Sequence, residues 1–321
     1  MSLTSQRFAP ARTDNTDVCT GLLESLLFDP AREFLARPSK GLRAGLIHIT
    51  HAIAGGTGSM PSAAIDMIEL LHSGSLIVDD IQDGADIRRG GPALHHVIGM
   101  PRALNTGNWL YFVALTRLDE LALDAERARA LSRATHRCLI DCHEGQSLDL
   151  ALKVTEVSRV ELPAVVRLVT QLKTGAPMGL AARLGATLAG ASARQIEALV
   201  AFGTNAGIAL QMLDDLGSLV SEPRHHKGLE DLRNQRVSWV WAWASEVLDA
   251  NSFLALRAQL ATDDDLSEVK VCLAEAVEAL GRRRAHALLE SSEQELRAHF
   301  APSFALELLH AELERLEHSY G

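Results

Sequence analysis

The stretch PSAAIDMIELLHSGSLIVDDIQDGADIRRG, residues 61–90, ends in a cluster of acids, Asp79, Asp80 and Asp83 foremost, and two arginines. Asp79 and Asp83 stand four apart, so on a helix they lie on one face, with Asp80 about 100° round. Stacked carboxylates repel each other unless something positive sits between them, and hard oxygens of this kind suit Mg²⁺. A metal held there would grip a substrate phosphate. Arg88 and Arg89 follow closely, and guanidinium forks match phosphate oxygens in pairs.

A second apolar run, from about Arg194 to Leu219, delivers Gln211, Asp214 and Asp215 in the same way. Ser218 stands four after Asp214, and a hydroxyl is a poorer Mg²⁺ ligand than a carboxylate. The polar segment SEPRHHKGLEDLRNQR follows and reads as a loop carrying Lys227, Asp231, Arg233 and Arg236. Lys40 and Arg43 open another helix, where cations are slightly misplaced against the helix dipole. A solvated first turn is the plain explanation of that pair, although misplaced charge invites a functional one. Lys173 stands at a break around Lys173-Thr174-Gly175 and Pro177, where a proline kinks or restarts a helix; a lysine there can face a cavity but is more often solvated.

The elements that carry these residues read as helices throughout. Ile65, Met67, Ile68, Leu70, Leu71, Leu76, Ile77 and Val78 are apolar nearly all round, which predicts a helix buried inside a large helical protein. Residues 1–13 lack period and predict a loose tail, with 14–321 as one helical domain. Cys19 to Phe28 predicts a short amphipathic helix. Ser39 is placed to cap a second, Lys40 to Ala54, that Gly55-Gly56 ends. Gly90-Gly91-Pro92 reads as a loop. Further helices are expected over Arg102–Leu121, Leu121–Leu152, Arg159–Ala189 and three times after Ser252. Trp239, Trp241 and Trp243 read as packing residues, with a partner interface as the minority choice.

The chain has 321 residues, 47% of them hydrophobic, and a formal charge of -10, which disfavours a nucleic-acid surface. Four scattered cysteines do not make a disulfide framework, and a reduced cytoplasmic setting is expected. With no secretory h-region and no apolar run of about 18 residues, no transmembrane segment is expected.

In order and spacing these blocks resemble the trans-isoprenyl diphosphate synthases, the polyprenyl synthetase family, from about Lys40 to Gln235. DDIQD (Asp79, Asp80, Asp83) looks like that family's first aspartate-rich motif and LQMLDDL like its second. ELLHSGSLIVDD resembles the helix leading into the first, with His72 matching a histidine of the isopentenyl site. SKGLR, RRG, GQSLDL, LKTGAP and KGLEDLR are similar to the remaining blocks. Departures are Ser218 for the third aspartate of the second motif, Ala44 for a proline, Val78 for a histidine, Leu210 for a phenylalanine and Arg236 for a lysine. Those at Ala44 and Leu210 touch the isopentenyl side, which leaves a different acceptor open.

The resemblance implies an all-α bundle of the isoprenoid synthase (class I terpenoid synthase) type around a central cavity, and a homodimer. It implies three Mg²⁺ ions held by Asp79, Asp83 and Asp214, with Asp80 in the same cluster. Arg88, Lys173 and Lys227 would meet an allylic diphosphate, and Lys40, Arg43, His72 and Arg89 the isopentenyl diphosphate. Thr174 and Gln211 would steady the allylic cation. The expected activity is Mg²⁺-assisted condensation of the two substrates to a longer linear prenyl diphosphate. A class I terpene cyclase or non-standard prenyltransferase on the same fold would not need Lys40, Arg43, His72 and Arg89, and a non-catalytic regulatory subunit would lose its metal ligands first. In this family bulk below the first motif limits chain length. A growing chain would pass Gly74 and Ser75 and meet Leu71, Leu70, Met67, Trp109 or Phe112, so that Gly74→Phe should shorten a product of roughly fifteen to twenty-five carbons.

Overall fold

A computed structural model describes residues 17–221, 225–262 and 265–319; the expected tail at 1–13 lies outside them. The described residues are almost wholly helical and fall into two compact units. One holds the chain up to Ala44 together with Ser59–Asp124, the other Gly45–Gly58 together with the chain from Ala125 onward.

In the first unit, α1 (Asp17–Leu23) runs through a π-helical turn, Glu24–Phe28, into α2 (Asp29–Ala36). The helix expected to stop at Phe28 therefore continues. Pro30 lacks a donor N–H, and the wider turn passes the hydrogen bond from Asp29 N–H to the Glu24 carbonyl. α3 (Leu42–Ile53) begins in this unit, after Gly41 at φ +60° rather than at a Ser39 cap.

The long α4 (Ser62–Asp83) is buried on nearly every side, as its all-round apolar pattern requires. It lies against α6 (Met100–Thr116). A Cβ on Gly74 would stand 2.8 Å from the Gly107 carbonyl oxygen of α6, so glycine there permits the close approach of two backbones. This corrects the expectation that Gly74 lines a product tunnel: the position is filled by α6. Trp109 stacks on Phe28 at 5.4 Å, and Phe112 is exposed. Between α4 and α6 come a two-stranded hairpin, Ile87–Arg88 paired with Gly91–Pro92, and the short α5 (Leu94–Ile98). The hairpin replaces the expected loop.

In the second unit, α10 (Ala193–Val220) is the central element, capped by a Ser192–Gln195 box. It packs on α9 (Ala176–Leu188) and α14 (Ser267–Arg297). By length and mean hydropathy (1.4) α10 is a helix that could cross a membrane, yet 56% of that apolar window is buried inside the protein, as in a core helix. α7 (Ala125–Ala151) carries GQSLDL. α8 (Leu162–Thr170) joins α9 through a π-helical turn, Gln171–Gly175, at the expected break. Pro177 leaves its turn without a donor, and the Ala176 N–H reaches back to the Gln171 carbonyl. The segment expected as a polar loop holds a helix, α11 (His225–Arg233). Trp241 and Trp243 of α12 (Trp239–Val247) are fully buried, so the tryptophans are packing residues. α13 (Ala250–Thr262), α14 and α15 (Phe304–Ser319) are the three expected last helices.

Candidate active site

α4 stops where its sequence says it must. Gly84 takes the left-handed conformation, φ +64°, and its N–H returns to the Asp80 carbonyl. Asp79, Asp80 and Asp83 are thereby set in the last turn, with no basic residue among them. Negative charge is disfavoured at a helix C-terminus, so this end demands cations. Arg88 supplies one: its Nε donates to Asp80 Oδ1 at 2.6 Å, and its second nitrogen lies 4.0 Å from Asp79 Oδ2. Asp80, fully buried, is thus the inner counter-ion that fixes Arg88. Burial pushes the Asp80 carboxyl up and the arginine pulls it back.

The hairpin delivers the arginines. Its turn is Arg89-Gly90, with φ +52° and +77°, the pair of left-handed residues that a two-residue type I′ turn needs. The Arg89 guanidinium lies 5.7 Å over the Phe34 ring and donates weakly to Ser73 Oγ at 3.5 Å. It stands in one charged neighbourhood with Arg43 and His72. Burial, then Arg43, Arg89 and Arg88, hold the His72 imidazole well below its usual pKa, so it is neutral near pH 7. Sequence reasoning missed Glu69, whose carboxyl is raised by burial and lowered by Arg43 and Arg89. The available signal was its spacing, one turn before His72 on the same face. Lys40 is exposed in the turn before α3.

In the second unit a chain of hydrogen bonds links the residues expected to steady a cation. Thr174 Oγ1 donates to Gln211 Oε1 at 3.1 Å, Gln211 Nε2 donates to Asp215 Oδ1 at 2.8 Å, and the Trp239 backbone N–H donates to Asp215 Oδ2 at 2.9 Å. Burial pushes Asp215 up to about 7, against those two hydrogen bonds and with the help of Asp214 and Asp231. Asp214 keeps about a quarter of its side chain exposed and takes the Lys227 ammonium at 2.6 Å. Ser218 Oγ donates to the Asp214 carbonyl at 2.9 Å, so the residue in the third-aspartate position is satisfied by its own helix. Lys173 pairs with Asp149 of GQSLDL, and Arg236 donates to the same Asp149 oxygen at 2.9 Å. Asp149 as the joint of two cations was not foreseen, because its partners lie 24 and 87 positions away. Gly145, one turn earlier, lets α7 pass the Lys173 turn: a Cβ there would meet the Leu172 Cβ at 2.7 Å.

Among the described residues no three carboxylates, imidazoles or thiolates converge as a closed metal cage. Each acid set is an open group of hard oxygens. That suits Mg²⁺, which keeps several waters and binds through one or two carboxylates plus substrate phosphates. The donors present therefore fit the expected metal.

The profile of polyprenyl synthetases matches residues 24–277. A geranylgeranyl pyrophosphate synthase of Eremothecium gossypii is 30% identical over 217 residues, 67% of this chain and 67% of that protein. A geranylfarnesyl diphosphate synthase of Aeropyrum pernix is 31% identical over 237 residues, 71% and 73% of the two chains. In fold, the chain superposes on a geranylgeranyl pyrophosphate synthetase from Pyrococcus horikoshii with a TM-score of 0.75 at 24% identity, covering 91% and 90% of the two chains. A decaprenyl diphosphate synthase from Rhodobacter capsulatus gives 0.77 at 18%, covering 95% and 98%. The all-α architecture is that of the isoprenoid synthases, and with the profile spanning both aspartate motifs the chain belongs to the polyprenyl synthetase family.

Proposed function

We propose that this protein is a trans-prenyltransferase that joins isopentenyl diphosphate to an allylic diphosphate, giving a longer linear prenyl diphosphate and releasing diphosphate. The observation that carries the proposal is the cluster of Arg43, His72 and Arg89. It is a second anion-binding group beside the Asp79–Asp83 acids, one that a cyclase acting on a single diphosphate has no use for.

Asp79, Asp83 and Asp214 are the carboxylates that would hold Mg²⁺, three ions in the full complex. Bound there, the metal would neutralise the charge that builds on the leaving diphosphate. By the family resemblance, Arg88, fixed by Asp80, and Lys173 and Lys227 of the second unit are the cations that would meet the allylic diphosphate. The allylic carbon–oxygen bond breaks, and the isopentenyl double bond attacks the resulting cation. Lys40, Arg43, Arg89 and the neutral His72 hold the second diphosphate. The Thr174 proton is engaged by Gln211, which leaves the lone pairs of Oγ1 to face a developing cation. A proton then leaves to the departed diphosphate and closes the double bond. Exclusion of water keeps the cation from hydrolysis.

The product is read as roughly fifteen to twenty-five carbons long, in keeping with the names of the relatives. A cytoplasmic homodimer completes the proposal. Four scattered cysteines suit a reducing compartment, and exposed Leu104 and Phe112 on α6 suit cover by a second copy. The test is incubation with Mg²⁺, isopentenyl diphosphate and allylic diphosphates of several lengths. An elongated diphosphate is expected; a cyclic hydrocarbon from the allylic substrate alone, or no turnover, overturns the proposal.

A further inference from the structure

We propose that Arg37 is a positioning residue that clamps the Arg88–Arg89 hairpin and thereby sets both diphosphate-binding arginines. The inference rests on the function proposed above. Arg37 ends α2 with its side chain almost entirely buried, 8% exposed. Its Nε and one terminal nitrogen grip the two Glu33 carboxylate oxygens, each at 3.0 Å. Its other terminal nitrogen donates to the backbone carbonyls of Arg88 at 3.1 Å and Pro92 at 2.8 Å. Those carbonyls belong to opposite strands of the hairpin. The guanidinium therefore bridges the two strands, while Glu33 holds it flat against them.

The hairpin needs such a brace. Two strands of two residues are too few to be stable alone, and Arg89 is a non-glycine residue held in the left-handed region. The Phe34 ring takes the Arg37 guanidinium at 5.2 Å and the Arg89 guanidinium at 5.7 Å, so both cations share one aromatic support. Arg37 also immediately precedes Pro38-Ser39-Lys40, the segment that leads to Lys40 and Arg43. One residue thus ties the strained turn to the start of the other cationic segment.

Gly91 supplies an independent handle. A Cβ there would stand 3.2 Å from Arg37 Cζ, so Gly91→Ala presses on the clamp without touching Arg88 or Arg89. Arg37→Ala is expected to raise the KM for isopentenyl diphosphate, and to weaken the binding of inorganic pyrophosphate in calorimetry, each by about tenfold. Arg37→Lys, with one nitrogen for the two carbonyls, should recover part of that loss. Gly91→Ala should raise the KM in the wild-type background and add nothing to Arg37→Ala, since both act through one contact. A purely structural brace would lower the melting temperature of these variants and leave KM and pyrophosphate affinity within twofold; that result overturns the clamp. If Arg37→Ala does not fold, Arg37→Lys and Gly91→Ala decide by the same readouts. If the wild type fails to elongate isopentenyl diphosphate yet binds pyrophosphate in an Arg37-dependent way, the functional reading falls and the clamp stands.

Discussion

His72 is a histidine kept neutral by its neighbours, and this has consequences in both states of the site. In the folded protein its pKa lies well below 6.5, because burial and then three guanidiniums oppose its charge. An unfolded chain would take up that proton near 6.5. Between the two values the unfolded state binds more protons, so stability rises with pH across the window and is lost on acidification below about 6.5. Thermal melts of the wild type and His72→Gln over that range should show a shallower acid loss in the variant. Parallel curves would remove His72 from the account. A bound diphosphate brings opposite charge to the same guanidiniums and should favour the imidazolium. The NMR titration midpoint of His72 is therefore expected to move up when inorganic pyrophosphate is added.

Elements were legible where a local signal decided them. Gly55-Gly56 end α3 and α10 starts at Ala193, each within a residue or so of expectation, whereas Gly84 at the end of α4 and the Ser192 box were local signals left unread. The π-helical turns were legible only as breaks, since a proline announces a missing donor without saying which carbonyl its turn will choose instead. The hairpin was missed because Arg89 is a poor residue for a left-handed turn, and it persists through contacts that no local pattern displays. Gly74 shows the opposite failure, a correct residue with a wrong neighbour. A small residue below the aspartates looked like tunnel space, and the second helix that fills it could not be placed from sequence. Gly74→Ala should therefore force α4 and α6 apart and cost roughly 1–3 kcal/mol, the usual price of overpacking. A clear fall in melting temperature with unchanged product length is expected. A shortened product from a variant as stable as the wild type would restore the tunnel.

At the scale of the whole molecule, the residues legible in sequence are those proposed to act on substrate, while those that hold them in place were not. Asp79, Asp83, Arg88 and Asp214 stand out by type and spacing, and His72, Lys173 and Lys227 only through the family resemblance. Glu33, Arg37 and Asp149 are ordinary charges until folding brings distant partners to them, as with Arg37 and Pro92 across 55 positions. Assembly follows the same rule, because an exposed apolar residue gains meaning only from its neighbours. Leu104 and Phe112 lie eight positions apart on α6, on roughly one side, with 41% and 68% of their surfaces exposed. Each chain carries a formal charge of -10, so two copies repel at low ionic strength, and in the proposed homodimer apolar contact would have to outweigh that repulsion. Light scattering should therefore report twice the 34.7 kDa chain mass, with the dimer favoured by added salt. Phe112→Glu places a charge on that stripe without touching the aspartates or the arginines, and should shift the mass toward a single chain. A wild-type mass of 34.7 kDa at every protein and salt concentration would rule the dimer out, and an unaltered dimer in Phe112→Glu would move its interface away from α6.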